Sequence, residues 1–243
     1  MNKLIKGFHF RAGRQAIFSA LLPLAIQAQS TGSVPAAPGL PVIRSLAAYR
    51  ALVARDSAWR LVELRTLIPD LVYDLRYAGH NNFTGRILYG QGTRTFLQAG
   101  AARALARVAS DLRARGLGLK IFDAYRPYSV TVRMWRLIHD ARYVADPAQG
   151  SGHNRGLAVD LTLIRLDTGR ELDMGTGFDN FTDSAHTDFR QLPEPVLENR
   201  RLLRSILEKY GFRSLETEWW HFSYPHGGDP DSSVLDIDFR RLP

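Results

Sequence analysis

Three features of this sequence predict an α+β fold with a central antiparallel sheet and flanking helices. Two long amphipathic stretches read as helices, several short runs rich in β-formers lie around them, and no regular βαβ rhythm connects those runs. The clearest helix covers about Thr95 to Arg115, where Leu97, Ala101, Leu105, Val108 and Leu112 recur at spacings of three and four. Gly116 and Gly118 end it. The second runs from Glu194 to Tyr210, with Val196, Leu203, Ile206, Leu207 and Tyr210 on its buried side and Gly211 at its C-cap. Shorter helices are predicted over Ser45 to Ala58 and Tyr128 to His139. Leu61 to Leu67, Val72 to Tyr77, Leu119 to Tyr125, Ala158 to Ile164 and Glu218 to Tyr224 read as strands. A long glycine-containing loop spans Asp167 to about Pro193.

The chain has 243 residues, 45% apolar and 23% charged, which suits one well-buried domain and excludes disordered, collagen-like and coiled-coil classes. Its first residues differ from the rest. Lys3, Lys6, Arg11 and Arg14 precede the mostly apolar run Ala16 to Ile26, and Gln27-Ala28-Gln29-Ser30 follow. That order predicts a signal peptide over 1–28, a linker over 29–44 and a single domain over 45–243, in a periplasmic or secreted protein. The apolar run is too short to span a bilayer, which needs about 20 residues, so no stable membrane anchor is expected once the leader is cleaved.

Of the 32 Lys and Arg, four lie in the leader, which takes the formal charge from +8 to +4 beyond it. No basic cluster with interleaved aromatics is present, so nucleic acid is not expected as a partner. The chain has no cysteine. Disulfides, thiolate ligands and a cysteine nucleophile are therefore excluded, and any metal must be held by His, Asp and Glu.

Two stretches supply such ligands. In Ser151-Gly-His153-Asn-Arg-Gly156-Leu-Ala158-Val-Asp160 a histidine sits in a glycine-flanked turn and an aspartate on the strand that follows; Glu218-Trp-Trp-His221-Phe222 adds a second imidazole and a spare carboxylate. Three N/O ligands with an open fourth position, and a nearby Glu to accept a proton from water, are the parts of a catalytic zinc site. On residue types alone, the same stretches also suit a hydrogen-bonded core histidine and aromatic packing. Residues three apart on a regular strand face opposite ways, so Glu218 and His221 share a site only if the backbone is irregular at Glu218. Trp219 would then face the site with His221, while Trp220 and Phe222 enter the core.

Taken together, SxHxxGxAxD and ExWH resemble the zinc D-Ala-D-Ala peptidase superfamily, which includes D,D-carboxypeptidases and hedgehog-like domains. The doubled tryptophan is similar to the D-alanyl-D-alanine dipeptidase branch, the type known from vancomycin resistance. So are Tyr77-Ala-Gly-His-Asn-Asn-Phe83-Thr-Gly, Asp123-Ala-Tyr-Arg126-Pro and Met174-Gly-Thr-Gly-Phe-Asp179. The likeness covers roughly Val62 to Tyr224, in the expected order. It implies a zinc peptidase domain binding one Zn2+ per chain through His153, Asp160 and His221, with Glu218 as acid/base and Arg126 stabilising the oxyanion. Asp123 would orient Arg126 or the substrate, and Ser151 and Asp179 would line the pocket. The implied substrate is D-Ala-D-Ala or a related D-amino dipeptide. A D,D-carboxypeptidase or peptidoglycan endopeptidase on the same scaffold, or a non-catalytic zinc-binding module, are the alternatives. Gly79-His80 stand where the family commonly has threonine after Tyr-Ala, which bears on specificity.

Overall fold

The computed structural model describes residues 39–90, 94–226 and 233–242. The expected leader and most of the expected linker lie outside them. The end of that linker is ordered differently from expectation. Val42–Ile43 form β1, which pairs in parallel with the strand Val234–Leu235, because two short apolar segments bury one another there. Helix α1 follows (Leu46–Arg55), capped by the Ser45 side chain, which accepts from the Ala48 amide.

Strands β2 (Leu61–Glu63) and β3 (Val72–Tyr73) are shorter than the hydrophobic runs suggested, since 3-10 turns at Leu64–Thr66 and Arg76–Ala78 cut them, and β4 (Phe96–Gln98) follows. The apolar stripe beginning at Leu97 is not all helix. Phe96–Gln98 pair antiparallel with β2, and α2 begins only at Ala99 and runs to Arg113. Strand β5 (Leu117–Asp123), α3 (Tyr128–Trp135), the single turn α4 (Gly152–Arg155), β6 (Ala158–Arg165), α5 (Glu194–Lys209), β7 (Arg213–Ser214), β8 (His221–Ser223) and β9 (the Val234–Leu235 strand) complete the order.

The fold is α+β. Its main sheet has the order β3-β5-β6-β8-β7, antiparallel throughout except for the parallel β3–β5 pair. Leu105, Val108 and Leu112 of α2 and Leu203, Ile206 and Leu207 of α5 pack with Leu119, Ile121, Val159, Leu161 and Leu163 of the two central strands. Because side chains alternate along a strand, Asp160 points away from the face that buries Val159 and Leu161. That second face carries the site.

Candidate active site

Strand register brings the acidic and basic groups together. Asp160 on β6 is paired with His221 on β8, so their side chains are cross-strand neighbours on one face. On the other side of β6 the register slips. Ile121 pairs with Leu161, yet Asp123, not Phe122, pairs with Asp160. An unslipped β5 would send Asp123 into the helix-covered core with Ile121; the bulge re-aims it to the Asp160 face.

His153 arrives from α4. The Ser151 hydroxyl accepts from the His153 amide and the Asn154 side chain accepts from the Ser151 amide, a reciprocal cap that closes the single turn. Gly156 ends it at φ 69°, and a Cβ there would collide with Leu61 and crowd the Gln98 amide. The turn is also stitched to Arg126, whose amide donates to the His153 carbonyl at 3.0 Å and whose carbonyl accepts from Asn154 at 2.8 Å.

His153 Nδ1 lies 2.7 Å from the Ala124 carbonyl, an acceptor that fixes the proton on Nδ1 and leaves Nε2 free as a ligand. Nε2 is 3.3 Å from His221 Nδ1 and 3.4 Å from Asp160 Oδ2; His221 Nδ1 is 2.9 Å from Asp160 Oδ1. Tetrahedral zinc with bonds of ~2.0–2.1 Å needs ligand atoms about 3.3–3.4 Å apart. The donor set therefore fits zinc, and the three residues have ligand atoms within 4.8 Å of one another. Burial opposes ionisation of Asp160, but the two imidazoles beside it outweigh that and hold its carboxyl below the usual range.

Glu218 and His221 meet as the backbone irregularity requires. The strand starts only at His221; Trp219-Trp220 form a turn, closed by the His221 amide on the Glu218 carbonyl at 3.3 Å. Glu218 Oε2 then lies 4.0 Å from His221 Nδ1. Burial pushes the Glu218 carboxyl up to about 8; His221 pulls it down, and Asp160 and Asp179 push it up further. Trp220 enters the core as expected, but Trp219 does not face the site. Trp220 lines the cavity, whereas Trp219 turns away and donates to Thr176 Oγ1 at 2.8 Å, because alternation does not govern a turn.

Arg126 is 7% exposed, and its Nε and Nη2 contact Asp123 Oδ2 at 2.8 and 2.7 Å. Burial alone would lower the guanidinium pKa, but Asp123 and its neighbours more than offset this, so the cation is firmly held. Its Nη2 is 3.9 Å from Asp160 Oδ2 and its guanidinium faces the Tyr77 ring. Asp123 was expected to touch substrate or Arg126. It does not line the cavity; its Oδ1 accepts from the Tyr89 hydroxyl at 2.6 Å and its Oδ2 is taken by Arg126. Ser151 lines the cavity while capping α4. Tyr89 was not foreseen, since a lone tyrosine in a loop carries no sequence signal.

The cavity has a volume of about 280 Å3 and reaches from the His153, Asp160 and His221 triangle to Asp179. Asp179 is the one non-glycine residue with positive φ (62°) among the described residues, a strained placement typical of functional positions. Its Oδ1 accepts from the Tyr77 hydroxyl at 2.8 Å and its Oδ2 from the Phe83 amide at 3.4 Å. Burial pushes its carboxyl up to about 7, against the pull of the Tyr77 hydrogen bond.

A family model described as D-Ala-D-Ala dipeptidase, of the M15 peptidases, matches residues 57–236. The chain belongs to that family. Among similar D-alanyl-D-alanine dipeptidases, the Escherichia coli protein is 42% identical over 165 residues, covering 68% of this chain and 84% of that protein. The Streptomyces coelicolor dipeptidase is 36% identical, covering 68% and 92%, and that of Enterococcus faecalis 32% identical, covering 70% and 93%. Among solved structures, the LdcB LD-carboxypeptidase overlaps at a TM-score of 0.40 with 20% identity, covering 68% of this chain and 67% of that one. An overlap that loose says nothing of activity. As a member of the dipeptidase family, this chain is a peptidase, and its site is read in that light below.

Proposed function

We propose that this chain is a zinc-dependent dipeptidase that hydrolyses D-Ala-D-Ala or a related D-amino dipeptide in cell-wall metabolism. One arrangement carries the reading. A metal-sized ligand triangle, the Glu218 carboxyl, the Arg126 guanidinium and the Asp179 carboxylate all border one cavity of about 280 Å3. His153, Asp160 and His221 would hold the single zinc ion. When bound, zinc lowers the pKa of a coordinated water to about 7 and polarises the scissile carbonyl.

The chain's own groups do the rest. Asp179 pairs with the substrate ammonium at one end of the cavity and so sets where the peptide bond lies. Glu218, whose carboxyl burial raises to about 8, takes a proton from the attacking water and delivers it to the leaving nitrogen. Arg126, fixed by Asp123, donates to the oxyanion that develops on the carbonyl oxygen. Trp220 and Tyr77 line the walls and limit solvent.

The cavity size supports a small substrate, because pockets for drug-sized ligands run to roughly 300–1,000 Å3. It weighs against a D,D-carboxypeptidase or endopeptidase, which needs room for a long peptide. Glu218 and Arg126 together weigh against a non-catalytic zinc module, since zinc binding alone requires neither. The leader motif supports a periplasmic or secreted location, which N-terminal sequencing of protein recovered outside the cytoplasm tests.

The decisive experiment incubates the purified protein with D-Ala-D-Ala, D-Ala-D-lactate and a pentapeptide ending in D-Ala-D-Ala, with and without chelator. Cleavage of the dipeptide, abolished by chelator and restored by Zn2+, is expected. Release of D-Ala from the pentapeptide would make it a carboxypeptidase, and indifference to chelator would overturn the zinc assignment.

A further inference from the structure

The long loop after β6 is anchored by an arginine outside the cavity. Arg200, on α5, is 6% exposed, and its guanidinium donates to three main-chain carbonyls: Nε to Met174 at 2.8 Å, Nη2 to Ser184 at 2.9 Å and Nη1 to His186 at 3.1 Å. Its hydrogen-bond partners are all carbonyls, none a carboxylate, among the described residues. Burial lowers its pKa to about 10, so it remains a cation at neutral pH. A buried cation whose hydrogen-bond acceptors are all neutral is costly even with the charge of Asp173 nearby, and an apolar side chain would fill the same space more cheaply if packing were all that mattered.

The three carbonyls belong to the two limbs of one loop, and Asp179 lies between them. The same loop supports the turn that begins at Glu218. Ala185 O accepts from the Trp219 amide at 3.0 Å, Thr176 Oγ1 accepts from Trp219 Nε1 at 2.8 Å, and the Thr187 amide donates to the Glu216 carbonyl at 2.8 Å. The Trp219 ring lies 5.8 Å from the Arg200 guanidinium carbon. One side chain thus ties together the loop bearing Asp179 and the turn bearing Glu218. The metal triangle sits on α4, β6 and β8, which Arg200 does not contact through these bonds.

We infer that Arg200 is a positioning residue that fixes Asp179 and Glu218 at their separation across the cavity, and so holds the dipeptide's ammonium and its scissile bond in register with the groups that bind and react. The inference rests on the dipeptidase reading. Lysine cannot replace it, because a single ammonium cannot reach three carbonyls spread over a planar fork. A displacement of about 1 Å between binding and reacting groups is enough to cost about a hundredfold in rate.

The test compares Arg200→Lys and Thr176→Val with wild type in the zinc-loaded protein. Readouts are kcat and KM on D-Ala-D-Ala, zinc content, and the rate of chymotrypsin cleavage within 174–186. Arg200→Lys should keep its zinc, raise KM and lower kcat, with a combined loss of about tenfold to a hundredfold, and expose the loop to cleavage. Thr176→Val, which frees only Trp219 beside Glu218, should lower kcat and leave KM near wild type. Unchanged kcat and KM in folded Arg200→Lys, or loss of zinc together with activity, would overturn the inference. If wild type cleaves no D-amino dipeptide, the dipeptidase reading fails, and the loop-cleavage rates still decide whether Arg200 clamps the loop.

Discussion

His221 and Glu218 are the last and first residues of one tight turn, so a candidate metal ligand and a neighbouring carboxyl are set by a single 3.3 Å backbone hydrogen bond. The two roles remain separable because Glu218 is no part of the ligand triangle. Glu218→Gln keeps the turn and the shape of the side chain but cannot take a proton. Zinc content should match wild type while kcat falls by about 10²–10⁴-fold. Metal analysis alongside steady-state kinetics checks this, and loss of zinc would place Glu218 among the ligands instead.

Asp123 provides the Arg126 seat from outside the cavity lining. Asp123→Asn leaves a hydrogen-bond acceptor but removes the negative charge that fixes the guanidinium. Partners of this outer kind are worth about 10–100-fold, and a loss of that size in kcat/KM is expected, carried by kcat. Tyr89→Phe, which frees Asp123 Oδ1, should act in the same direction and more weakly.

Asp179 makes stability depend on pH. Its folded carboxyl titrates at about 7 against an ordinary value of 3.8. Between about pH 4 and 7 the unfolded chain has released this proton while the folded chain keeps it, so stability falls as pH rises through that window. Asp179→Asn removes the effect. With chelator present in both samples, the variant should melt a few degrees above wild type at pH 7.5 and level with it near pH 4. It should also raise KM for the dipeptide strongly, and a KM unchanged from wild type would remove Asp179 from substrate binding.

Aromatic rings close the Asp179 end of the cavity. Phe181 stacks on Tyr143 at 4.7 Å and meets Phe83 edge-on at 5.3 Å, and the Phe83 amide holds Asp179. Phe181→Ala opens this end without touching Glu218, Arg126 or the ligands. Peptide length profiling should show tripeptides ending in D-Ala-D-Ala becoming substrates, with dipeptide turnover retained.

The sequence made some of this legible and hid the rest for physical reasons. Residue types alone left His153, Asp160 and His221 open between zinc ligands and core packing, and it was the order of the two motifs that implied the ligand set; the parity clash at Glu218 predicted a backbone irregularity there, which takes the form of a turn. The bulge at Phe122 left no trace, since a slipped register alters pairing and not composition. Phe96 to Gln98 belonged to an apolar stripe that continued into α2, so helical periodicity masked a strand made by pairing with β2. The misplaced Trp219 followed from applying strand alternation inside a turn. Arg200 carries no sequence signal of its own; only its three distant carbonyl partners mark it.

Tyr125, next to Arg126, both donates to the Ile237 carbonyl and accepts from the Ile237 amide, each at 2.9 Å and 112 residues away in sequence. The strand end that seats Arg126 is thus braced from a segment far along the chain, and the ligand triangle has no part in that brace. Loosening the segment around Ile237 would reach the Arg126 seat from outside the cavity.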